Sequence, residues 1–158
     1  MRVGPEYPGA RSGSKLILSI LDKIMSIPVT PLELIQAAAQ ARLGAVAPYS
    51  KFLVGAALVT PAGEILGGAN VESASYGLTC CAERVALFGA LTRGRRDFTA
   101  VAVVARAPGG PMPCGACRQL LAEYAPQAKV YVADSDDLAH YREFTVAGLL
   151  PGAFVLVP

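Results

Sequence analysis

All four cysteines of this chain lie in two short stretches, and each stretch has the pattern of a helix beginning. The first is TCCAERVALFG, starting at Thr79, and the second is PCGACRQLLAEY, starting at Pro113. Cys114 and Cys117 are three residues apart, so their thiols lie on one helix face near its N-terminus. The partial positive charge at that end stabilises thiolates. The fold must therefore place helix N-termini beside a sulfur site.

Three of the four cysteines suit a metal ion. Cys80 and Cys81 are adjacent, and adjacent helix residues diverge by ~100°, so this pair is poorly placed to bind one ion together. Three cysteines with an open fourth position match a catalytic zinc site. We predict that Cys81, Cys114 and Cys117 bind the metal, and that Cys80 is a small buried hydrophobe. Glu83 is predicted to reach the water at the open position rather than the metal.

Two other interpretations use the same cysteines. All four could close a structural zinc site that carries no chemistry, or Cys114 and Cys117 could form a redox dithiol. The adjacency of Cys80 and Cys81 argues against the first interpretation. The second leaves Glu83 and the remaining cysteines without a role.

The bulk composition favours one packed domain. The chain has 158 residues, of which 53% are hydrophobic and 16% are charged, with a net charge of +2. So small a charge does not favour a nucleic-acid partner, and no stretch reaches the ~20 apolar residues of a membrane span. We find no convincing export signal and expect a cytoplasmic protein whose reduced thiols are free to act as ligands.

Composition also divides the chain. Residues 1–28 are rich in Gly, Pro, Ser and Arg, and we expect them to be an N-terminal tail or a non-native leader, with Met25 as an alternative start. Residues 29–158 are expected to form the catalytic domain.

Helix and strand patterns alternate along this domain, which predicts an α/β protein with a sheet covered by helices. Thr30, Pro31 and Glu33 form a capping box for a first helix that runs to about Leu43. His140, the only histidine, is placed in a polar surface loop. The later elements are a hairpin over 47–71, a helix from Thr79 as cap to Gly94 as stop, a strand over 98–106, a helix over 114–125, a strand over 128–134 and a short helix over 145–154.

The motifs CAER and PCGACRQ, with PYSKFLVGAAL, GGANVESASYGL and LLPGAF, resemble the small homotetrameric cytidine deaminases from roughly Ala47 to Phe154. The resemblance implies a three-layer α/β/α fold with a mixed five-stranded sheet and one Zn²⁺ per subunit. It implies hydrolytic deamination of cytidine and 2′-deoxycytidine to the uridines and ammonia, in pyrimidine salvage. Water activated by the zinc would attack C4, with Glu83 as the proton shuttle.

Substrate-binding residues follow from the resemblance alone. Asn70 and Glu72 match the Asn-x-Glu of the family, which hydrogen-bonds the sugar hydroxyl and the base edge. Phe52 matches the aromatic residue that lines the pyrimidine pocket, and Ala82 is assigned to the same pocket. A carboxylate at Glu72 disfavours a nearby 5′-phosphate, so nucleosides rather than nucleotides are the expected substrates.

The resemblance also implies roles outside the base pocket. Tyr76 and Phe154 match residues that reach the pocket of a neighbouring subunit, which implies a homotetramer with shared active sites. Arg84 matches an arginine that offsets the negative charge of three thiolates on zinc.

Two residues depart from the pattern of the family, and one alternative substrate stays open. Ala69 replaces a frequent cysteine, and Met112 occupies a position where serine is common. Deaminases of the nucleoside antibiotic blasticidin S share the zinc signature. The segments NVESASYGL and LLPGAF favour plain nucleosides.

Overall fold

A five-stranded mixed sheet organises the chain in the computed structural model, which describes residues 28–155. The predicted tail lies outside this range except for its last residue. The strand order is β2-β1-β3-β4-β5, and β3 and β4 are parallel while the other neighbours are antiparallel. The strands are β1 Val54–Val59, β2 Ile65–Ala69, β3 Ala100–Ala105, β4 Lys129–Asp134 and β5 Asp137–Thr145.

Helices cover both faces of this sheet, which confirms the predicted three-layer α/β/α fold. The helices are α1 Pro31–Arg42, α2 Ala82–Thr92, α3 Gly115–Tyr124 and the short α4 Val146–Leu149. All residues of β3 are buried, and its successive side chains enter different cores. Val101 and Val103 belong to the core under α2 and α3, whereas Ala102 and Val104 belong to the core under α1. No helix among residues 28–155 is long and apolar enough to cross a membrane.

The capping box predicted for the first helix is confirmed. The Thr30 hydroxyl accepts a hydrogen bond from the Glu33 amide at 3.2 Å, and the Glu33 carboxylate accepts one from the Thr30 amide at 2.8 Å. Both bonds satisfy amides that the helix leaves without partners at its N-terminus. This helix is α1, and it begins where the sequence placed it.

Three sequence predictions were wrong in detail. Thr79 does not cap α2, because the chain first makes a 3-10 turn at Tyr76–Leu78 and Cys81 is the N-cap. His140 lies in β5 rather than in a loop, because this polar edge strand is defined by pairing with β4 and not by an apolar pattern. Cys80 is half-buried rather than buried, because its backbone bridges to Val71 near the surface.

Two strand glycines let helix backbones lie directly on the sheet. A Cβ at Gly55 of β1 would stand 2.0 Å from the carbonyl oxygen of Ala38 in α1, and a Cβ at Gly68 of β2 would stand 2.3 Å from the amide nitrogen of Ala86 in α2. Real Cβ atoms do not tolerate such contacts with backbone, so only glycine permits this spacing. The contact at Gly68 also fixes the position of α2, whose N-terminus carries Cys81.

We expect Gly55→Ala to lower the free energy of unfolding by about 2 kcal/mol or more, because the new methyl group must push α1 off the sheet. Gly89→Ala is the matched control, since a Cβ there meets no described atom within 4 Å. That change should stabilise α2 by up to about 1 kcal/mol. Chemical denaturation of both variants measures the difference, and equal stabilities would contradict the close-contact argument.

Candidate active site

The N-termini of α2 and α3 meet at three cysteine sulfurs. Cys81 is the N-cap of α2, Cys114 is the N-cap of α3, and Cys117 lies in the first turn of α3. The Sγ atoms of Cys81 and Cys114 are 3.8 Å apart, and those of Cys114 and Cys117 are 3.5 Å apart. All three sulfurs lie within 4.8 Å of one another. The helix ends therefore point their partial positive charge at the cluster of sulfurs.

The sulfur arrangement fits zinc. Tetrahedral coordination with Zn–S bonds of about 2.3 Å places sulfur ligands about 3.8 Å apart, which is close to the two measured separations. Within residues 28–155, these three cysteines are the only group of three or more metal-ligating side chains that lie close enough to share an ion. Cys80 is not in this group, which argues against a structural site closed by four cysteines. Three protein ligands leave a fourth position for water.

Charge at the cluster is balanced by a neighbouring arginine. The guanidinium of Arg84 donates to the carbonyl of Thr79 at 2.6 Å and lies 3.6 Å from the Sγ of Cys81. The adjacent Cys117 thiol, followed by Arg84, lowers the pKa of Cys81 to about 5. The hydrogen bond between the two thiols, followed by burial, raises the pKa of Cys117. The lowered pKa favours the thiolate form of Cys81, which is the form that binds a metal.

Glu83 lies in the first turn of α2, two residues after Cys81. Its side chain is only 5% exposed, and it lines the same cavity as Cys81 and Cys114. Burial raises the pKa of the Glu83 carboxyl, and the charge of Cys81 adds to this effect. A buried carboxyl that faces both a nucleophile site and an open cavity can accept and return a proton.

The cavity beside the sulfurs has a volume of about 210 Å³ and mainly apolar walls. Asn70, Thr79 and Glu83 supply the polar side chains apart from the cysteines. A small apolar pocket with a few convergent polar groups is typical of a small-molecule site. The apolar wall consists of Phe52, Val54, Ala82, Val103, Pro111 and Met112.

Asn70 is buried and is engaged with the backbone of its own chain. Its Oδ1 accepts from the amide of Val54 at 2.8 Å, and its Nδ2 donates to the carbonyl of Phe52 at 2.9 Å. These bonds fix the segment that presents Phe52 to the cavity. One N–H of the amide stays free for a substrate oxygen, since the group has two donors.

Glu72 lines a second cavity of about 330 Å³, which adjoins the first at Thr79. Its carboxylate accepts from the amides of Tyr49 and Ser50 at 3.0 and 3.1 Å, and from the Ser50 hydroxyl. These bonds, with that from the hydroxyl first, lower the pKa of the Glu72 carboxyl. Tyr76 also lines this second cavity.

The structure adds Tyr49, Ser50 and Thr79 to the site residues that the sequence indicated. Tyr49 and Ser50 stand in the PYSKF motif, which was a signal for their place in the site. Thr79 was assigned instead to a helix cap. In the structure, its hydroxyl accepts from the amide of Ser73 at 3.1 Å, and this bond joins the walls of the two cavities.

Phe154 stands apart from the other predicted site residues. It is 69% exposed, and within the part of the chain that the structure describes it lines neither cavity. Its carbonyl accepts from the side chain of Gln119 at 2.8 Å. Tyr76 is also strongly exposed, at 81%. A single chain therefore leaves both aromatic side chains facing outward.

The α/β/α fold, the cluster of three cysteine sulfurs and the buried carboxyl that lines the same cavity define a candidate zinc centre. The chain belongs to the family described as the cytidine and deoxycytidylate deaminase zinc-binding region, whose model matches residues 30–133. It is 55% identical over 122 residues to the cytidine deaminase of Halalkalibacterium halodurans. The aligned region covers 77% of this chain and 91% of the relative.

A solved structure agrees with this assignment. The crystal structure of cytidine deaminase from Burkholderia pseudomallei has a TM-score of 0.73 and 50% identity, with 77% of this chain and 96% of that chain covered. The blasticidin-S deaminase of Bacillus cereus is more distant, at 33% identity over 137 residues, or 82% of this chain and 95% of the relative.

We expect one zinc ion per chain in the purified protein and in the variant Cys80→Ala, because Cys80 lies outside the sulfur cluster. Cys117→Ala should lose most of its zinc, because two thiolates hold the ion far more weakly than three. Elemental analysis of dialysed protein gives the zinc content directly. Loss of zinc in the Cys80 variant would show that four cysteines bind the metal.

Proposed function

We propose that this chain catalyses the hydrolytic deamination of cytidine and 2′-deoxycytidine to uridine and 2′-deoxyuridine, with release of ammonia. One observation carries the proposal: the buried Glu83 carboxylate and the sulfurs of Cys81 and Cys114 open into one small, mainly apolar cavity. The identity to cytidine deaminases supports the choice of substrate.

The reaction replaces the 4-amino group of the base by oxygen. A bound Zn²⁺ supplies the acidity that makes water a nucleophile at neutral pH. Glu83 accepts a proton from that water while the C4–O bond forms, and it passes the proton to N3. It then takes the second proton of the attacking oxygen and delivers it to the amino group, so that the C4–N bond breaks and ammonia leaves.

The two adjoining cavities suit the two parts of a nucleoside. The apolar cavity takes the pyrimidine between Phe52 and the wall that includes Ala82, and excludes bulk water from the reacting carbon. The cavity at Glu72 takes the sugar, where the carboxylate accepts from a ribose hydroxyl and the free N–H of Asn70 donates to a substrate oxygen. Because Tyr49 and Ser50 hold Glu72 in place, its carboxylate is oriented before substrate binds.

Arg84 offsets the charge of the metal ligands. Three thiolates on Zn²⁺ carry a net charge of minus one, which weakens the acidity that the ion gives to water. The guanidinium beside Cys81 and the two helix N-termini counter this charge. Arg84 is held in that position by its bond to the carbonyl of Thr79.

The active form is a homotetramer in which subunits complete one another's sites. Support comes from the exposed aromatic side chains of Tyr76 and Phe154, which one chain leaves uncovered. Gln119, two residues after Cys117, donates to the carbonyl of Phe154, and the Phe154 side chain lines neither cavity of its own chain within the described residues. Such exposed apolar groups are typical of subunit interfaces.

The same chemistry suggests where the enzyme works. The described cysteines are free, and three reduced thiolates are needed for the metal, which favours the cytoplasm. Conversion of free cytidine to uridine is a step of pyrimidine salvage.

The enzyme is expected to release ammonia from cytidine and 2′-deoxycytidine faster than from blasticidin S, because the chain is more similar to cytidine deaminases.

In Glu83→Gln, zinc should remain while activity falls by roughly three decades or more, because general acid–base work and water activation both depend on the carboxylate. Loss of cytidine absorbance and ammonia release, measured side by side, test both statements.

Each outcome of that assay has a distinct meaning. Wild-type protein that carries zinc but leaves cytidine unchanged would refute the proposed substrate. Faster turnover of blasticidin S than of cytidine would favour the antibiotic deaminases instead. Near wild-type turnover in the glutamine variant would remove Glu83 from the mechanism.

Hybrid tetramers test whether active sites are shared. Phe154→Ala chains lack the exposed aromatic ring, and Glu83→Gln chains lack the proton shuttle, so each homotetramer should be strongly impaired. Co-expression of the two variants should restore activity at sites that combine an intact Glu83 with an intact Phe154 from a neighbour. Sedimentation is expected to show tetramers in every case.

The matched control is a chain that carries both substitutions, co-expressed with wild type. This mixture has the same numbers of intact Glu83 and Phe154 side chains as the mixture of single variants, but there each intact Glu83 shares its chain with an intact Phe154. Hybrids of the single variants that gain no activity over their parents would show that Phe154 acts within its own subunit. A fully active monomer would refute the shared site altogether.

A further inference from the structure

The loop between β3 and α3, residues 106–114, lines the base cavity and has two consecutive glycines before the residues that form the wall. Pro111 and Met112 form part of the cavity wall. Gly109 and Gly110, directly before them, adopt left-handed conformations with φ of +74° and +80°. Glycine has the greatest backbone freedom, so the wall needs contacts from outside the loop to keep one position.

Arg142 on β5 supplies such contacts. Its Nε donates to the carbonyl of Gly109 at 2.7 Å, and its Nη2 donates to the carbonyl of Gly110 at 3.3 Å. The guanidinium also lies 5.4 Å from the ring centre of Phe144, which favours the orientation that makes both bonds. Arg142 faces Val132 in register, and a Cβ at Gly110 would stand 2.7 Å from the carbonyl carbon of Val132. Gly110 therefore packs directly on the backbone of β4 and is hydrogen-bonded to Arg142 of β5.

The other end of the loop is held separately. Arg118 of α3 donates from Nε to the carbonyl of Pro113 at 2.7 Å and from Nη1 to the carbonyl of Leu149 at 3.0 Å. Pro113 directly precedes Cys114, so Arg118 steadies the end that bears the sulfur. Loss of Arg142 would thus release the wall at Pro111 and Met112 while the metal ligands keep their support.

We propose that Arg142 is a positioning residue for the deaminase reaction, which holds the Pro111–Met112 wall of the substrate cavity through the carbonyls of Gly109 and Gly110. The inference rests on the proposed function. Arg142 lines neither cavity and has no hydrogen bond to the three cysteines, so it acts through the loop. A displaced wall weakens substrate binding in the ground state and transition state alike, so KM changes more than kcat.

In Arg142→Gln, the KM for cytidine and the inhibition constant of the product uridine should each rise about ten-fold, with kcat within about two-fold of wild type. One zinc per chain should remain. Arg142→Lys keeps the charge but cannot form both bonds in the same geometry, so its KM should stay raised by about three-fold. Arg106→Gln is the matched control, because Arg106 follows β3 in the same loop but forms an exposed ion pair with Asp136.

The proposal is wrong if the glutamine variant keeps both constants within about two-fold of wild type, if its zinc content falls in proportion to activity, or if Arg106→Gln gives the same rise. Should Arg142→Gln fail to fold, the lysine variant decides, and a wild-type KM there overturns the proposal. Wild-type protein that is inactive on cytidine would refute the proposed function instead, so the two failures are distinguishable.

Discussion

The meeting of two helix N-termini at three sulfurs is the constraint on which the rest of the structure depends. Three thiolates around a bound ion would repel one another, and the partial positive charges of α2 and α3, with Arg84, would add to the charge of the ion in offsetting this repulsion. The sheet then holds the two helices in the positions at which their N-termini meet. The contact at Gly68 seats α2, and the bonds of Arg118 to the loop before Cys114 and to the carbonyl of Leu149 seat α3.

Side chains that the sequence assigns to the substrate are already in use by the protein. Asn70 bonds the backbone at Phe52 and Val54, and the Glu72 carboxylate accepts two amides and a hydroxyl from Tyr49 and Ser50. The Asn70 amide and the Glu72 carboxylate each keep capacity for a further hydrogen bond, so that they can hold the backbone and bind substrate at the same time. The protein contacts fix the orientation beforehand, which lowers the entropy that binding must overcome.

Interactions between residues near one another in the chain explain how much of the fold and of the site could be predicted from the sequence. The capping box at Thr30, the paired cysteines of α3 and the apolar run of β3 depend on near neighbours, and the structure has them where the sequence placed them. The cap at Cys81 was missed, because the 3-10 turn before it has no apolar period and Thr79 offered a better local cap. Strand β5 was missed because this exposed, polar strand has no apolar pattern and is defined only by its pairing with β4. The bonds of Arg142 were missed because they reach the carbonyls of Gly109 and Gly110, which are distant along the chain.

The sulfur cluster also connects distant parts of the chain. Cys81 and Cys114 are 33 residues apart, and β3 lies between them. An ion bound to both closes this segment into a loop, as a disulfide would, and removes much of the freedom of the unfolded chain. The metal thereby acts as a removable cross-link, and the persistence of the folded enzyme is coupled to the zinc that its surroundings provide.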